Sequence, residues 1–308
     1  MKHRDWYTQS FQYFDTVNTI SIWHVDDSIL KKVAALCSHF QKLWNRFDPE
    51  SDLAKISNHP GTYIQADPET IAVLKLSEEF RSRTQGGFHI GLGAFQSLWK
   101  SAEGWMQPSE EQLQESIHQL QQFQLNLTEA SACINAGIIL DLGGIAKGYI
   151  ADQIRRLLKQ ERVPCAMIDL GGNIVTVGDK PDDSFWEVGI RSPFHTDKIC
   201  GRVRFRGEKA LVTSGIYERC SPQDSCRYHH IIDPESGAPV QSDLMSVTVF
   251  GVSGVQCDVL ATALLVKGTE KGTEILRKFP GMQAIFIRKD GIWLQSCCEG
   301  SEGELLMG

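Results

Sequence analysis

Ala166-Met-Ile-Asp-Leu-Gly-Gly-Asn-Ile-Val-Thr-Val177 places two short β-type runs on either side of a Gly-Gly turn. Apolar, β-branched runs of about five residues bounded by glycine read as strands, and so short a junction is a turn between neighbours. The same texture recurs downstream and upstream of it: Gly137-Ile-Ile-Leu-Asp141, Trp186-Glu-Val-Gly-Ile190, Val203–Phe205, Ala210–Val212, Tyr228–Ile232 and Met245–Gly251. Further toward the N-terminus, Phe11–His24 reads as one strand carrying Phe14, Val17, Ile20, Ile22 and Trp23. Helical patterns lie between and before these runs. Asp26 and Asp27 offer an N-cap for a helix to about Arg46, with Ile29, Val33, Leu36, Phe40 and Leu43 on one face. Others are expected over Pro68–Arg83, over Pro108–Gln122 with Ser109 as N-cap, and over Ile145–Gln160, while Asp48–Asp52 reads as a turn. Strands are grouped rather than strictly alternating with helices, which predicts an α+β fold and not a doubly wound sheet. No repeat, low-complexity tract or Pro/Ser-rich linker divides the chain, so residues 1–308 are expected to form one intertwined domain of antiparallel or mixed strands with flanking helices.

Composition removes several functional classes. Hydrophobic residues at 42% and charged residues at 22% suit a globular protein with a real core. A net charge of -7 leaves no basic footprint for nucleic acid. No apolar run approaches the roughly 20 residues of a spanning helix. The N-terminal stretch has no apolar signal region, and nine scattered cysteines suit reduced thiols better than a disulfide framework, so a cytoplasmic location is expected.

Four segments could carry chemistry. In Val255-Gln-Cys-Asp-Val-Leu-Ala-Thr-Ala-Leu-Leu-Val-Lys-Gly268, a helix puts Asp258 and Thr262 on one face, one turn apart. Two hard oxygen ligands at that spacing suit Mg2+, which completes its shell with water and phosphates; an ordinary solvated or capping pair gives the same string. Asp141-Leu-Gly-Gly-Ile-Ala-Lys-Gly-Tyr149 passes from strand to helix through two glycines, a place where backbone approaches a ligand and the helix start favours an anion. It matches neither a Walker A loop nor G-x-G-x-x-G, and tight strand-to-helix packing explains it equally. Thr213-Ser-Gly-Ile-Tyr-Glu-Arg219 offers two hydroxyls, on Thr213 and Ser214, for a phosphate or flavin edge, or else a solvated turn. In Tyr228-His-His-Ile-Ile-Asp-Pro-Glu-Ser-Gly237 only one of the adjacent histidines can face a shared site, where it would serve as a base near neutral pH. Zinc on Cys220, Cys226, His229 and His230 is the weaker alternative, because the spacing departs from structural zinc patterns.

Taken in order, eight segments resemble the ApbE family of FAD:protein FMN transferases: Phe14-Asp-Thr16, Phe47-Asp-Pro-Glu-Ser51, Gly86-Gly-Phe88, Asp141–Tyr149, Asp169-Leu-Gly-Gly-Asn173, Thr213-Ser-Gly215, His230-Ile-Ile-Asp-Pro234 and Cys257–Thr262. The resemblance spans nearly the whole chain and implies an α+β, T-fold-like domain that uses Mg2+ and FAD. It implies transfer of the FMN half of FAD onto a Thr or Ser hydroxyl of a target flavoprotein, with release of AMP. By the same resemblance, Asp258 and Thr262 would hold Mg2+ with the main-chain carbonyl of Gly144, and Lys147 would contact FAD. Phe14, Phe47 and Gly87-Phe88-His89 would line the flavin and adenine pockets, and His230–Ile232 would border the reacting phosphate. His230 is the expected base and Asp233 a second candidate. Four positions depart from the family pattern: His89 stands for an acidic residue, Gly91 for a hydroxyl, Ile216 for an aspartate and Gly144 for alanine. The first three fall where the flavin pocket is expected. Hydrolysis of FAD to FMN and AMP, or flavin binding without catalysis, are the alternatives.

Overall fold

The computed structural model describes residues 6–23, 27–101, 104–135, 137–195, 197–217, 228–297 and 304–307. In chain order, the hairpin β1 (Trp6–Tyr13) and β2 (Thr16–Trp23) leads to α1 (Asp27–Trp44) and α2 (Asp52–Asn58). Then come β3 (Ile64–Gln65), α3 (Pro68–Arg83), α4 (Gly93–Trp99), β4 (Lys100–Ser101), β5 (Gly104–Trp105) and α5 (Glu110–Gln121). The second half holds β6 (Leu125–Leu127), β7 (Ser131–Ile134), α6 (Ala146–Gln160), β8 (Ala166–Leu170) and β9 (Asn173–Val177). It continues with β10 (Trp186–Arg191), β11 (Ile199–Phe205), β12 (Ala210–Gly215) and β13 (Leu244–Gly251). It closes with α7 (Gly254–Leu276), β14 (Gln283–Arg288), β15 (Trp293–Cys297) and β16 (Glu304–Met307).

An eight-stranded sheet in the order β1-β2-β8-β9-β12-β13-β14-β15 forms the middle layer, and each of its described pairings is antiparallel. One face buries Ile20, Ile168, Val175, Val212 and Val247 beneath α1, α6 and α7 in the main core. The other face packs Leu211, Phe250, Ile285 and Ile287 against Trp186, Val188, Val203 and Phe205 of the β10-β11-β16 sheet. Strand alternation divides the two cores, since neighbouring residues on β12 and β13 point to opposite layers. The α+β expectation holds, and the β8–β9 hairpin lies at the centre of the sheet, with Leu170 opposite Asn173.

Three local expectations are corrected. The stretch read as one strand from Phe11 instead runs from the end of β1 through a turn into β2; Phe14 and Asp15 both have positive φ, 58° and 54°, the signature of a tight two-residue turn. Tyr228–Ile232 is a bend whose one ladder contact is the Ile232–Pro239 bridge, and Gly137–Asp141 has one bridge, from Ile139 to Leu92. The turn at Asp48–Asp52 ends in a short helix, with the Ser51 hydroxyl accepting from the Ala54 amide at 3.1 Å. His24, Asp26, Glu218, Arg219, Cys220, Cys226 and Cys298 lie outside the described residues.

Candidate active site

Helices α6 and α7 cross at a glycine contact, and the crossing builds the site. A Cβ on Gly148 would lie 2.4 Å from the carbonyl oxygen of Gly254 and 2.6 Å from the Asp258 Cβ, so no larger residue lets the helices come this close. At that distance each helix supplies a carboxylate to the other's start. Asp152 of α6 accepts the amides of Gly254 at 3.0 Å and Val255 at 3.1 Å, and Asp258 of α7 accepts the Gly148 amide at 2.8 Å. Orphan amides and the positive end of the helix dipole favour this placement. The two acids differ in charge balance. Arg155 Nη2 lies 2.7 Å from Asp152, whereas among the described residues no cationic side chain pairs with Asp258, which is only 3% exposed.

Thr262, one turn after Asp258, sits beside the loop before α6: its Oγ1 would be 3.6 Å from a Cβ on Gly144. Ser214 at the end of β12 closes the group, with Oγ 3.1 Å from Thr262 Oγ1. All four line a cleft of about 1530 Å³, which exceeds the ~300–1,000 Å³ of a usual small-molecule pocket. The lining runs from Gly144, Lys147 and Thr262 in the helix layer round to Glu187 and Arg191 of β10. Lys147 Nζ stays near the loop, 3.4 Å from the Gly143 carbonyl.

Every other ligand residue expected from sequence also lines this cleft: Phe14, Phe47, Gly87, Phe88, His89, Thr213 and Ile232, together with the base candidate His230. Thr213 and Ser214 separate by strand alternation. Ser214 meets α7, while the Thr213 hydroxyl bonds Thr248 at 2.8 Å across to β13. Asp233 is the exception. Its carboxylate accepts the Glu235 amide at 2.9 Å and the Ser236 hydroxyl at 3.1 Å, so it builds the turn and does not line the cleft. The adjacent histidines part as expected. His229 is 1% exposed, accepts the Ile231 amide at Nδ1 and lies 3.2 Å from the Val240 carbonyl through Nε2. Burial lowers its pKa to about 4, so it is a neutral core residue, and His230 alone faces the cleft.

The departures resolve differently. His89 is held neutral, its pKa lowered to about 4 by burial and then by the Arg81 charge. Its Nδ1 accepts the Gly91 amide at 2.9 Å, which leaves the proton on Nε2. A Cβ on Gly91 would lie 3.1 Å from the His89 ring and 2.9 Å from Leu120, so these two departures form one matched change. Ile216 is a core residue, 4% exposed, and does not line the cleft.

Two features were not expected from sequence. The Arg46 guanidinium stacks 4.2 Å from the centre of the Phe47 ring and its Nε lies 2.9 Å from Asp141 Oδ2, which ties the Phe47 turn to the glycine loop. Asp169, in the second Asp-Leu-Gly-Gly string, also lines the cleft with Arg191, and burial raises its carboxyl above the ordinary range. The repeated string was the available signal.

The ApbE family pattern matches residues 14–286. An FAD:protein FMN transferase of Treponema pallidum is 34% identical over 279 residues, 85% of this chain and 77% of that protein. One of Klebsiella pneumoniae is 31% identical over 280 residues, 88% of this chain and 85% of its own length. The crystal structure of an ApbE protein from Thermotoga maritima superposes with a TM-score of 0.86 at 26% identity, covering 95% of this chain and 97% of the other. No described helix is long and apolar enough to cross a membrane.

Proposed function

The chain belongs to the ApbE family and acts as an FAD:protein FMN transferase, and from this premise we propose that it is Mg2+-dependent and modifies a Thr or Ser hydroxyl of a target flavoprotein. The observation that carries the metal assignment is Asp258. A carboxylate this buried is costly unless a cation balances it, and its only described partner is the Gly148 amide. The Thr262 hydroxyl, with the backbone of Gly144 beside it, offers further hard oxygens of the kind that suit Mg2+. Asp258, Thr262 and the Gly144 carbonyl would hold the ion. A divalent cation there would neutralise charge on the phosphoryl oxygens of the transferring group.

The chain's own residues supply the rest. Lys147, which lines the cleft at the start of α6, would hold a phosphate near the helix N-terminus. Phe14 and the Arg46-backed Phe47 offer aromatic faces at the cleft for the dinucleotide's rings. His230 takes the proton as the acceptor oxygen bonds to the flavin-side phosphorus; the bond from that phosphorus to the bridging oxygen breaks and AMP departs. The test is incubation of the purified chain with FAD and Mg2+, with and without a candidate flavoprotein. AMP released only with acceptor, together with protein-bound flavin, supports transfer. AMP without acceptor supports hydrolysis, and retained FAD with no AMP refutes catalysis.

A further inference from the structure

We propose that Ser214 is a positioning residue that couples metal binding to dinucleotide binding through a two-hydroxyl relay with Thr262, an inference that rests on the metal site proposed above. Thr262 can offer a lone pair to a cation only if its proton points elsewhere. Among the described residues its hydroxyl has one hydrogen-bond partner, Ser214 Oγ at 3.1 Å. Cation binding therefore fixes the direction of that bond: Thr262 donates and Ser214 accepts. Ser214 in turn makes no other described side-chain hydrogen bond, and it lines the cleft. Its own proton is then directed into the cleft, available to an anionic oxygen of the dinucleotide.

The relay makes the two ligands mutually reinforcing. Without the cation, either hydroxyl can donate, so the Ser214 donor is offered to the dinucleotide only part of the time. With the cation, the donor is preset and the ligand gains a hydrogen bond that needs no reorganisation. Linkage requires the converse, that bound dinucleotide tightens the cation by the same factor. Partners of metal ligands characteristically change metal affinity by about 10–100-fold when removed. Here the partner sits on a different element from the ligand, β12 against α7, so the coupling also joins the central sheet to the helix layer.

The experiment titrates Mn2+ into the full chain, reading free Mn2+ by electron paramagnetic resonance, with and without FAD, and titrates FAD by flavin fluorescence with and without Mn2+. Ser214→Ala is expected to weaken Mn2+ about 10–100-fold and to shrink the mutual tightening of Mn2+ and FAD, whereas Ser214→Thr restores both. Circular dichroism and melting of the two variants check that the fold is kept. Equal Mn2+ affinity and equal coupling in Ser214→Ala would overturn the relay. Failure of the unaltered chain to bind Mn2+ under either condition would remove the metal site and the relay together. Normal Mn2+ and FAD coupling in a chain that transfers no FMN would instead refute the transferase assignment and leave the relay intact.

Discussion

Replacing Asp258 by asparagine should stabilise the cation-free protein while removing its response to Mg2+. The asparagine keeps shape and leaves an amide oxygen to accept the Gly148 N–H, now 2.8 Å from a carboxylate oxygen. Two favourable terms weaken. A hydrogen bond to a charged group contributes about 1.5–3 kcal/mol against about 0.5–1.5 for a neutral one, and the helix-start interaction contributes about 0.3–1 kcal/mol. The opposing term is larger, because a charge held at 3% exposure with no cationic partner among the described residues costs several kcal/mol. The net gain in chelator is on the order of 1–3 kcal/mol, or ~2–6 °C at roughly 2 °C per kcal/mol for a chain of this size. Adding Mg2+ at a hundred times its Kd should then raise the unaltered protein by ~2.7 kcal/mol and leave the variant unmoved. Asp152→Asn is the internal control. Its charge is balanced by Arg155 at 2.7 Å, so that variant should lose stability in chelator and still respond to Mg2+. Differential scanning calorimetry with chelator and with Mg2+ reads all three proteins. A variant at residue 258 that melts several degrees lower in chelator, or that gains as much from Mg2+ as the unaltered chain, would refute the unbalanced-charge argument.

Three further outcomes can be checked. Gly91→Ser should cost about 1–3 kcal/mol by overpacking, since its Cβ would lie 3.1 Å from the His89 ring and 2.9 Å from Leu120; a double-mutant cycle with His89→Ala should recover part of that loss in urea denaturation. The neutral His229 sets a pH dependence. Its folded pKa of about 4 lies below the ordinary 6.5, so between those values the unfolded chain binds a proton that the folded chain refuses, and stability falls as the pH drops through the window. The loss is on the order of 3 kcal/mol, and His229→Gln should remove that share of the slope while His89, lowered to about 4 as well, keeps its own; a slope unchanged by the variant would count against it. Phe47→Ala should leave stability within ~0.5 kcal/mol, because Phe47 is 74% exposed, yet weaken FAD binding about 3–10-fold as the stacking face is lost. Equal FAD affinity by fluorescence titration would remove Phe47 from the ligand site.

Much of the fold was legible where local chemistry and tertiary context agree. α3 begins where Pro68 follows the capping Asp67, and α5 where Ser109 and Gln112 form a reciprocal capping box. The β8–β9 hairpin announces itself through two glycines, both with positive φ. The β1–β2 hairpin does not, because its turn is Phe14-Asp15, with neither residue a glycine in a conformation that glycine or asparagine usually occupies. That turn holds an aromatic ring at the cleft, and backbone strain of about 1–3 kcal/mol persists only where surrounding structure fixes it. Tyr228–Ile232 has strand composition but pairs only through the isolated Ile232–Pro239 bridge: His229 is anchored to Val240 and the chain is turned at once by Asp233. Composition records the burial of Ile231 and Ile232, which is the same in a buried bend as in a strand.

The site divides along a similar line. Asp258 and Thr262 could be paired from spacing alone, because one helical turn fixes their relation. What decides their chemistry could not, because it is made between elements far apart in sequence. Asp258 meets Gly148 across 110 positions and Ser214 meets Thr262 across 48. The first meeting depends on the glycine contact between α6 and α7, and the second on the packing of α7 against β12. The glycine contact also lets Asp152 and Asp258 trade places as caps. Of those two carboxylates, Asp152 received an arginine on its own helix and Asp258 did not. The asymmetry is what sets the two caps apart: the shared geometry brings two acids to two helix starts, and among the described residues no positive side chain matches the Asp258 charge, the charge that the proposed metal ion would balance.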